Sequence, residues 1–354
     1  MKNLEKYRSL LGEKMDGLLL TSRYSRHYSA EFDIAEGVAV VTREAALYFT
    51  DSRYIESAQN NITGFEVVEM NRANPYNKLI NDAIAKYDIS CMGYEEIYMT
   101  VAEQSRFAEN LHCTLVPASA SIDSFRAVKE PWELERIRKA QQITDQAFAE
   151  VLTRIKAGMT EKQLQAELIY CLYKNGGEGL SFDPIVVSGP NTSLPHGVAT
   201  DRVIREGDFI TMDFGAIYGG YCADMTRTVA VGFATEEMRK VYDTVLAAQQ
   251  AGIAISKAGV TGKEIDGAAR QVITDAGYGE YFGHGYGHCI GMECHELPSC
   301  SPGGVTAMEV NMVSSAEPGI YLPGKFGVRI EDLVIFTPDG CENITKSPKN
   351  LIII

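Results

Sequence analysis

Apolar positions along the first 125 residues fall into short runs separated by helical patterns. Leu18–Thr21, Val38–Val41, Leu47–Thr50, Phe65–Glu69, Met92–Tyr94 and Thr114–Val116 read as strands. Tyr54–Asn60, Tyr76–Tyr87 and Thr100–Asn110 read as helices between them. The alternation predicts an α/β N-terminal domain with a mostly buried sheet over residues 1–125. It holds no glycine-rich phosphate loop and no cluster of potential ligands. Asp51-Ser-Arg53-Tyr54 closes one strand, and its acid and base suit a cap and a surface ion pair better than a substrate contact. The polar stretch Ser119–Lys129, with room for a short helix, marks the boundary to a second domain over residues 126–354.

The period then lengthens. Pro131 fits the first position of a long helix whose apolar stripe runs through Leu134, Ile137, Ile143 or Thr144, Phe148, Val151, Leu152 and Ile155 until Gly158. Thr160 with Gln163 makes a capping box for a following helix that ends at Gly176-Gly177. The same device returns after a gap of constant length. Thr235–Lys257 reads as a second long helix closed by Gly259, and Thr261 with Glu264 opens another short one. Ala157-Gly-Met-Thr160 aligns with Ala258-Gly-Val-Thr261, and Gly176 with Gly277, at an offset of 101 residues. Two matching helix-turn-helix units point to a duplicated half-domain rather than a solenoid, which needs more copies.

Each half also carries carboxylates. Phe209–Thr228 reads as a hairpin whose turn is centred on Tyr218-Gly219, which sets Asp213 opposite Asp224. Directly opposed residues on one face lie ~4.5–5.5 Å apart, where like charges repel. Such a pair needs a cation, a shared proton or water. In the second half, Glu317 answers Asp213 and Glu331 answers Asp224. If the halves pack about a pseudo-twofold axis, four carboxylates converge at its centre.

Charge and composition narrow the partners. The chain has 354 residues, enough for two cored domains, and its formal charge of −14 argues against non-specific nucleic-acid binding. No apolar run approaches the ~20 residues of a membrane span, and Met1–Arg8 carries no signal-like stretch, so a cytoplasmic protein is expected. The eight cysteines show no paired spacing and read as reduced thiols. Of six histidines, three stand within Gly283-His284-Gly-Tyr-Gly-His288-Cys-Ile-Gly-Met-Glu-Cys-His295, and His196 lies in Leu194-Pro-His-Gly197. There is no zincin helix motif, no nucleophile elbow and no Walker loop. A zinc knuckle over Cys289, Cys294 and Cys300, or a nucleophile made of Cys289 or Cys294 with His295, is a lesser alternative. Four carboxylates and a histidine suit two hard or borderline divalent ions, such as manganese, cobalt or zinc, which neutralise the site. Ions ~3.5–4 Å apart can hold a bridging hydroxide and polarise a carbonyl, which is hydrolytic chemistry.

Asp213, Asp224, the Gly-His-Gly-Tyr-Gly-His288 stretch, Glu317-Pro-Gly-Ile-Tyr321 and Arg329-Ile-Glu331-Asp resemble the pita-bread metallopeptidases, and specifically the aminopeptidase P and prolidase branch. The resemblance spans the chain. It implies an α+β pita-bread C-terminal domain with duplicated halves and a curved antiparallel sheet. It implies Asp213, Asp224, His288, Glu317 and Glu331 as metal ligands, with Asp224 and Glu331 bridging two ions, manganese first among them. Glu317 would also act as general base, His196 and His295 would steady the scissile peptide and its tetrahedral intermediate, and His284 and Arg329 would shape a proline pocket. A homodimer acting on short peptides with proline second is implied, with no role for nucleic acid or membrane. The segment Ser29–Gly37 lacks the histidine- and arginine-bearing pattern of some dipeptide-only relatives, which favours aminopeptidase P over a strict dipeptidase. The long N-terminal domain sets the chain apart from methionine aminopeptidases. The intact ligand set argues against a metal-free creatinase-like hydrolase and against a non-catalytic binding protein. The run Asn311-Met-Val-Ser-Ser-Ala316 departs from the family's usual pattern before Glu317.

Overall fold

The structure, a computed structural model, describes residues 2–354 and divides into two compact units, Met1–Arg126 and Ala127–Ile354. In the first unit, strands β1 (Gly17–Leu20), β2 (Val38–Thr42), β3 (Ala46–Asp51), β4 (Glu66–Met70), β5 (Cys91–Tyr94) and β6 (Thr114–Pro117) form one mixed sheet. Its order is β4-β3-β2-β1-β5-β6. The β1–β2 and β2–β3 pairs are antiparallel and the others parallel, as their helical connections require. Leu19, Val40, Phe49, Ile80, Met92 and Phe107 are among the buried residues of this unit's core.

Two helices of this unit, α1 (Lys2–Ser9) and α2 (Arg23–Ala30), carry no legible apolar stripe. The second shows why periodicity misses it: Ser25, Arg26 and Ser29 are buried on it. Their polarity is satisfied locally. The Arg26 guanidinium donates to the Ile34 carbonyl and the Tyr48 hydroxyl, both at 2.8 Å. Ser22 caps the helix, and buried Glu95 accepts from the Thr21 and Ser22 amides. Asp51 pairs with Arg53 at 2.7 Å and accepts from its amide, while the next helix, α3 (Ile55–Asn61), starts without a side-chain cap.

The second unit opens on α7 (Pro131–Leu152), which follows α4 (Tyr76–Lys86), α5 (Val101–Asn110) and α6 (Ser119–Ala127) in the chain. Glu130 and Glu133 form its capping box, with Pro131 at the first position. It stops at Leu152, earlier than the apolar stripe suggests, because Thr153 and Arg154 turn back onto Glu150 and Val151. Ile155 is buried from the following turn instead.

The duplication is visible in backbone detail. α8 (Glu161–Lys174) and α10 (Gly262–Asp275) have equal length and capping boxes on Thr160 and Thr261. Each is preceded by a positive-φ glycine, Gly158 or Gly259, whose amide donates to Ile204 or Met308. Strands β8 (Ile185–Ser188), β9 (Phe209–Phe214) and β12 (Met225–Ala230) form the sheet of the first half in the order β12-β9-β8, beside the short pair β7 (Gly179–Leu180) and β10 (Ala216–Tyr218) with β11 (Tyr221–Cys222). In the second half, β13 (Gly287–Cys289), β14 (Glu296–Cys300), β15 (Val313–Ala316), β18 (Asp332–Phe336) and β19 (Cys341–Asn343) form a five-stranded sheet. A β16 (Gly319–Leu322)–β17 (Phe326–Arg329) hairpin accompanies it. Each half has its own core, α7 and α8 packing over Val186, Met212 and Val229, and α9 (Glu236–Ile255) with α10 over Ile320, Val328 and Val334.

The hairpin register differs from expectation. Its turn is centred on Gly219-Gly220, both with positive φ (57° and 79°), and Tyr218 pairs with Tyr221. A two-residue turn with both centres left-handed is the form that matches strand twist, and glycine takes it without strain. The centre therefore lies one residue beyond Tyr218-Gly219, which shifts the pairing by two. Asp213 faces Thr226, not Asp224. A shift of two keeps every side chain on its face, so both carboxylates still point to one side.

Thr160→Ala and Thr261→Ala should each cost about 1 kcal/mol. Chemical denaturation should show near-equal losses that add in the double variant, as expected for equivalent caps in two separate halves.

Candidate metal centre

The central cavity of the second unit has a volume of about 850 Å³. Asp213, Asp224, His196, His284, His288, His295, Glu317 and Arg329 all line it. Glu331 lies behind Asp224, 1 % exposed. All nine residues singled out in the sequence are therefore brought to one place. Asp213 lies next to the end of β9 and Glu317 just past β15, while Asp224 and Glu331 precede β12 and β18.

Three hydroxyls and one arginine hold the acids apart from solvent. Thr226, opposite Asp213, donates to Glu331 Oε2 at 2.7 Å and accepts from Arg329 Nε at 3.0 Å. Arg329 also donates to Asp213 Oδ2 at 2.6 Å and to the Tyr321 hydroxyl at 2.9 Å. Tyr321 in turn lies 2.9 Å from His284 Nε2, whose Nδ1 is 2.8 Å from the Gly285 carbonyl. A carbonyl only accepts, so Nδ1 carries the proton and Nε2 accepts from Tyr321. Burial, above all, lowers the His284 pKa and keeps that ring neutral. The unusual serines before Glu317 join the frame: the His288 amide donates to Ser315 Oγ, which donates to Glu317 Oε1, both at 3.0 Å.

His288 leans on Glu317 at 3.2 Å and on Asp224 at 3.7 Å through Nε2. Its Nδ1 faces the Cys289 carbonyl at 3.1 Å and so donates there. In the metal-free protein Nε2 carries a proton towards Glu317, and once that proton leaves, the Nε2 lone pair is the one a cation among these carboxylates would take. A β-bulge between His288 and Cys289 turns the strand at this point. The His288 ring centroid lies 4.2 Å from that of His295, with the two planes tilted by 43°.

Crowded acids behave as electrostatics demands. Burial first, then the charge of Asp213, pushes Asp224 well above the ordinary carboxylate range. Burial, then Asp224, does the same to Glu331. Burial would also raise Glu317, but its hydrogen bond to His288 and that residue's charge hold it at about 2. Burial opposes a charged His288, yet Glu317 and Asp224 lift it to about 9. Burial, then His288, lowers His295.

One oxygen each of Asp213, Asp224 and Glu331 is buried without a hydrogen-bond partner. Ligand atoms of Asp224, His288 and Glu331 lie within 4.8 Å of one another. Orphaned anionic oxygens facing a histidine nitrogen in a buried cluster fit divalent cations, which would neutralise the repulsion.

Tyr321, Thr226 and Ser315 are the contributors that sequence reasoning left without a role, and Cys294 contributes in neither of the ways the sequence offered. Cys294 Sγ donates to Asp224 Oδ2 at 3.3 Å, and burial pushes its thiol far up, which removes it as a nucleophile. Cys289 is pushed up to about 12 by burial. Among the described residues no cysteine joins the candidate ligand group, so the zinc-knuckle alternative finds no support. Tyr321 stood inside a quoted motif. Thr226 had no local signal, because only the hairpin register places it under Glu331.

Loops bearing the other histidines are fixed by buried acids. Glu161 accepts from the amides and hydroxyls of both Ser188 and Thr200 and from Asn191, clamping the segment that carries His196. Glu296 accepts from the Met292 and Glu293 amides and pairs with buried Lys129 at 3.0 Å, which braces the loop leading to His295.

Residues 135–338 match metallopeptidase family M24, and residues 4–128 match the creatinase/prolidase N-terminal domain. The chain is 41 % identical over 353 residues, 99 % of each chain, to the uncharacterized peptidase YqhT of Bacillus subtilis (strain 168). The solved Xaa-Pro dipeptidase from Bacillus anthracis superposes with a TM-score of 0.96 at 42 % identity, covering 100 % of this chain and 99 % of that one. An X-Pro aminopeptidase from Thermotoga maritima MSB8 does so with a TM-score of 0.93 at 37 % identity, covering 99 % of each.

In metal-free protein, Asp224, Glu331 and His288 keep protons in the folded state that the unfolded chain releases. The folded state then binds more protons, so stability should fall as pH rises from the ordinary carboxylate range through about 9. Glu317, held low, is constant across that window. Metal displaces the protons. The melting-temperature gap between manganese-loaded and chelator-treated protein should therefore widen with pH, and Glu331→Gln should flatten the metal-free slope.

Proposed function

The chain belongs to metallopeptidase family M24, with its pita-bread catalytic fold and creatinase/prolidase N-terminal domain, and from that premise we propose that it hydrolyses the peptide bond between an N-terminal residue and a proline at position two. The observation that carries the reading is the convergence of Asp213, Asp224, Glu317 and Glu331 with His288 around partnerless oxygens. These five residues would hold two divalent ions, manganese first, with Asp224 and Glu331 serving both. Once bound, such ions would supply a nucleophilic water at neutral pH and polarise the carbonyl under attack.

The chain's own groups do the rest. Glu317, aligned by Ser315, takes the proton of the attacking water. His295, kept neutral by burial, and His196 on its clamped loop donate to the oxygen that gains charge. Proline offers no N–H, so it is recognised by shape. The Arg329–Tyr321–His284 chain supplies a rigid wall for its ring, each member locked by the next.

Within this class we favour aminopeptidase P activity. A dipeptide ends in a carboxylate just past the proline. Among the described residues, Arg329 is the one lysine or arginine lining the cavity, and Asp213 and Tyr321 already occupy it. A longer peptide continues as a neutral amide and needs no such partner. Strict dipeptidase activity is the second reading, favoured by the similarity to the Bacillus anthracis Xaa-Pro dipeptidase. A homodimer working in the cytoplasm completes the proposal. Among the described residues no helix is long and apolar enough to cross a membrane.

With manganese, Ala-Pro-Ala should be cleaved more efficiently than Ala-Pro, as measured by kcat/KM. Failure to cleave either would remove the function, and Ala-Pro alone being cleaved would select the second reading. Asp224→Asn should lower kcat by at least about 10³-fold and lose bound metal by elemental analysis.

A further inference from the structure

A second cavity, of about 510 Å³, adjoins the central one. Pro195, His196 and His284 line both, so the two cavities share this wall. Beyond the two histidines the walls include Tyr321, Tyr281 and Glu280. Glu280 sits in the short helical turn Gly279–Tyr281 and is exposed. It is the one carboxylate of this lining, and among the described residues no lysine or arginine joins it.

We propose that this annex is the subsite for the residue that follows proline, and that it selects a basic side chain there. The inference rests on the proline placement beside His284 argued above. One extended residue spans ~3.3–3.6 Å, so a chain continuing past a proline held at His284 enters the space that His284 also faces. An arginine or lysine entering there can lay its aliphatic stem and charge along the half-buried Tyr281 ring and meet the Glu280 carboxylate at the rim. An acidic residue meets the like charge of Glu280, on a chain whose formal charge is already −14, while Lys325, whose charge reaches Tyr281, is paired with Glu237 at 2.8 Å. Because Glu280 is solvated, the selection is modest and sensitive to salt.

The test uses manganese-loaded enzyme and the tripeptides Ala-Pro-Arg, Ala-Pro-Ala and Ala-Pro-Glu, at low and high ionic strength. The wild-type enzyme should favour the Arg over the Glu peptide about fivefold in kcat/KM, less in high salt. Glu280→Gln should bring that ratio close to one and Glu280→Lys should invert it. A ratio is read because a general loss from the substitution cancels. Equal cleavage of all three by the wild type, or a ratio that Glu280→Gln leaves unchanged, overturns the annex assignment while leaving the Xaa-Pro function intact. A charge preference that Glu280 sets at the first residue instead, seen with Arg-Pro-Ala against Glu-Pro-Ala, also overturns it. Cleavage of no Xaa-Pro peptide at all overturns both.

Discussion

Four carboxylates gathered in one cluster repel one another, and the catalytic unit is built around holding them there. Side chains that leave the acids partly unsatisfied do most of this work. Arg329 takes one oxygen of Asp213, Thr226 one of Glu331, and Cys294 one of Asp224. The opposite oxygens stay bare and buried. A protein core satisfies its polar atoms almost everywhere, so three bare carboxylate oxygens in one cluster signal a cation's place. Asp213 finds a counter-charge in Arg329, and Glu317 and His288 find relief in each other, their displaced protonation being the metal-free counterpart of that place.

The two halves supply the acids in matching positions but frame the site by different means. Glu161 and Gly262 begin α8 and α10, 101 residues apart, and perform unlike tasks. Glu161 is buried and gathers the Ser188–Thr200 segment with hydrogen bonds, which sets where His196 stands. At Gly262 a Cβ would fall 2.0 Å from the Ser299 carbonyl, so the backbone of the segment following His295 packs directly on the helix start. One half holds its loop through a charged side chain, the other through bare backbone contact. The same asymmetry appears before the acids. Asp213 follows an apolar strand, whereas Glu317 follows two buried serines, one of which orients its carboxylate.

Much of the fold was legible because burial imposes periodicity. The six strands of the first unit, the long helices and both threonine capping boxes stand within a few residues of where the apolar pattern sets them. α2 was invisible because Ser25, Arg26 and Ser29 interrupt its buried face beside Tyr28 and Ala30, with Arg26 held by Tyr48 and the Ile34 carbonyl and the cap residue Ser22 by Glu95. Ile155 extended the apparent stripe of α7 although the helix had already turned, since a buried side chain does not report the backbone that carries it.

The amino-acid sequence by itself supplied the residue types, acids in each half and one histidine stretch, and the helix units repeated 101 residues apart imply that equivalent strand ends meet. It also determined the face on which Asp213 and Asp224 lie, because a strand's alternation survives a register error of two. Only the tertiary structure decided the register itself, through the Gly219-Gly220 turn, and with it the pairing of Asp213 with Thr226. That pairing places a hydroxyl between Glu331 and Arg329, two residues about a hundred positions away. Contacts of that kind depend on how two halves pack, and local sequence pattern carries no record of them.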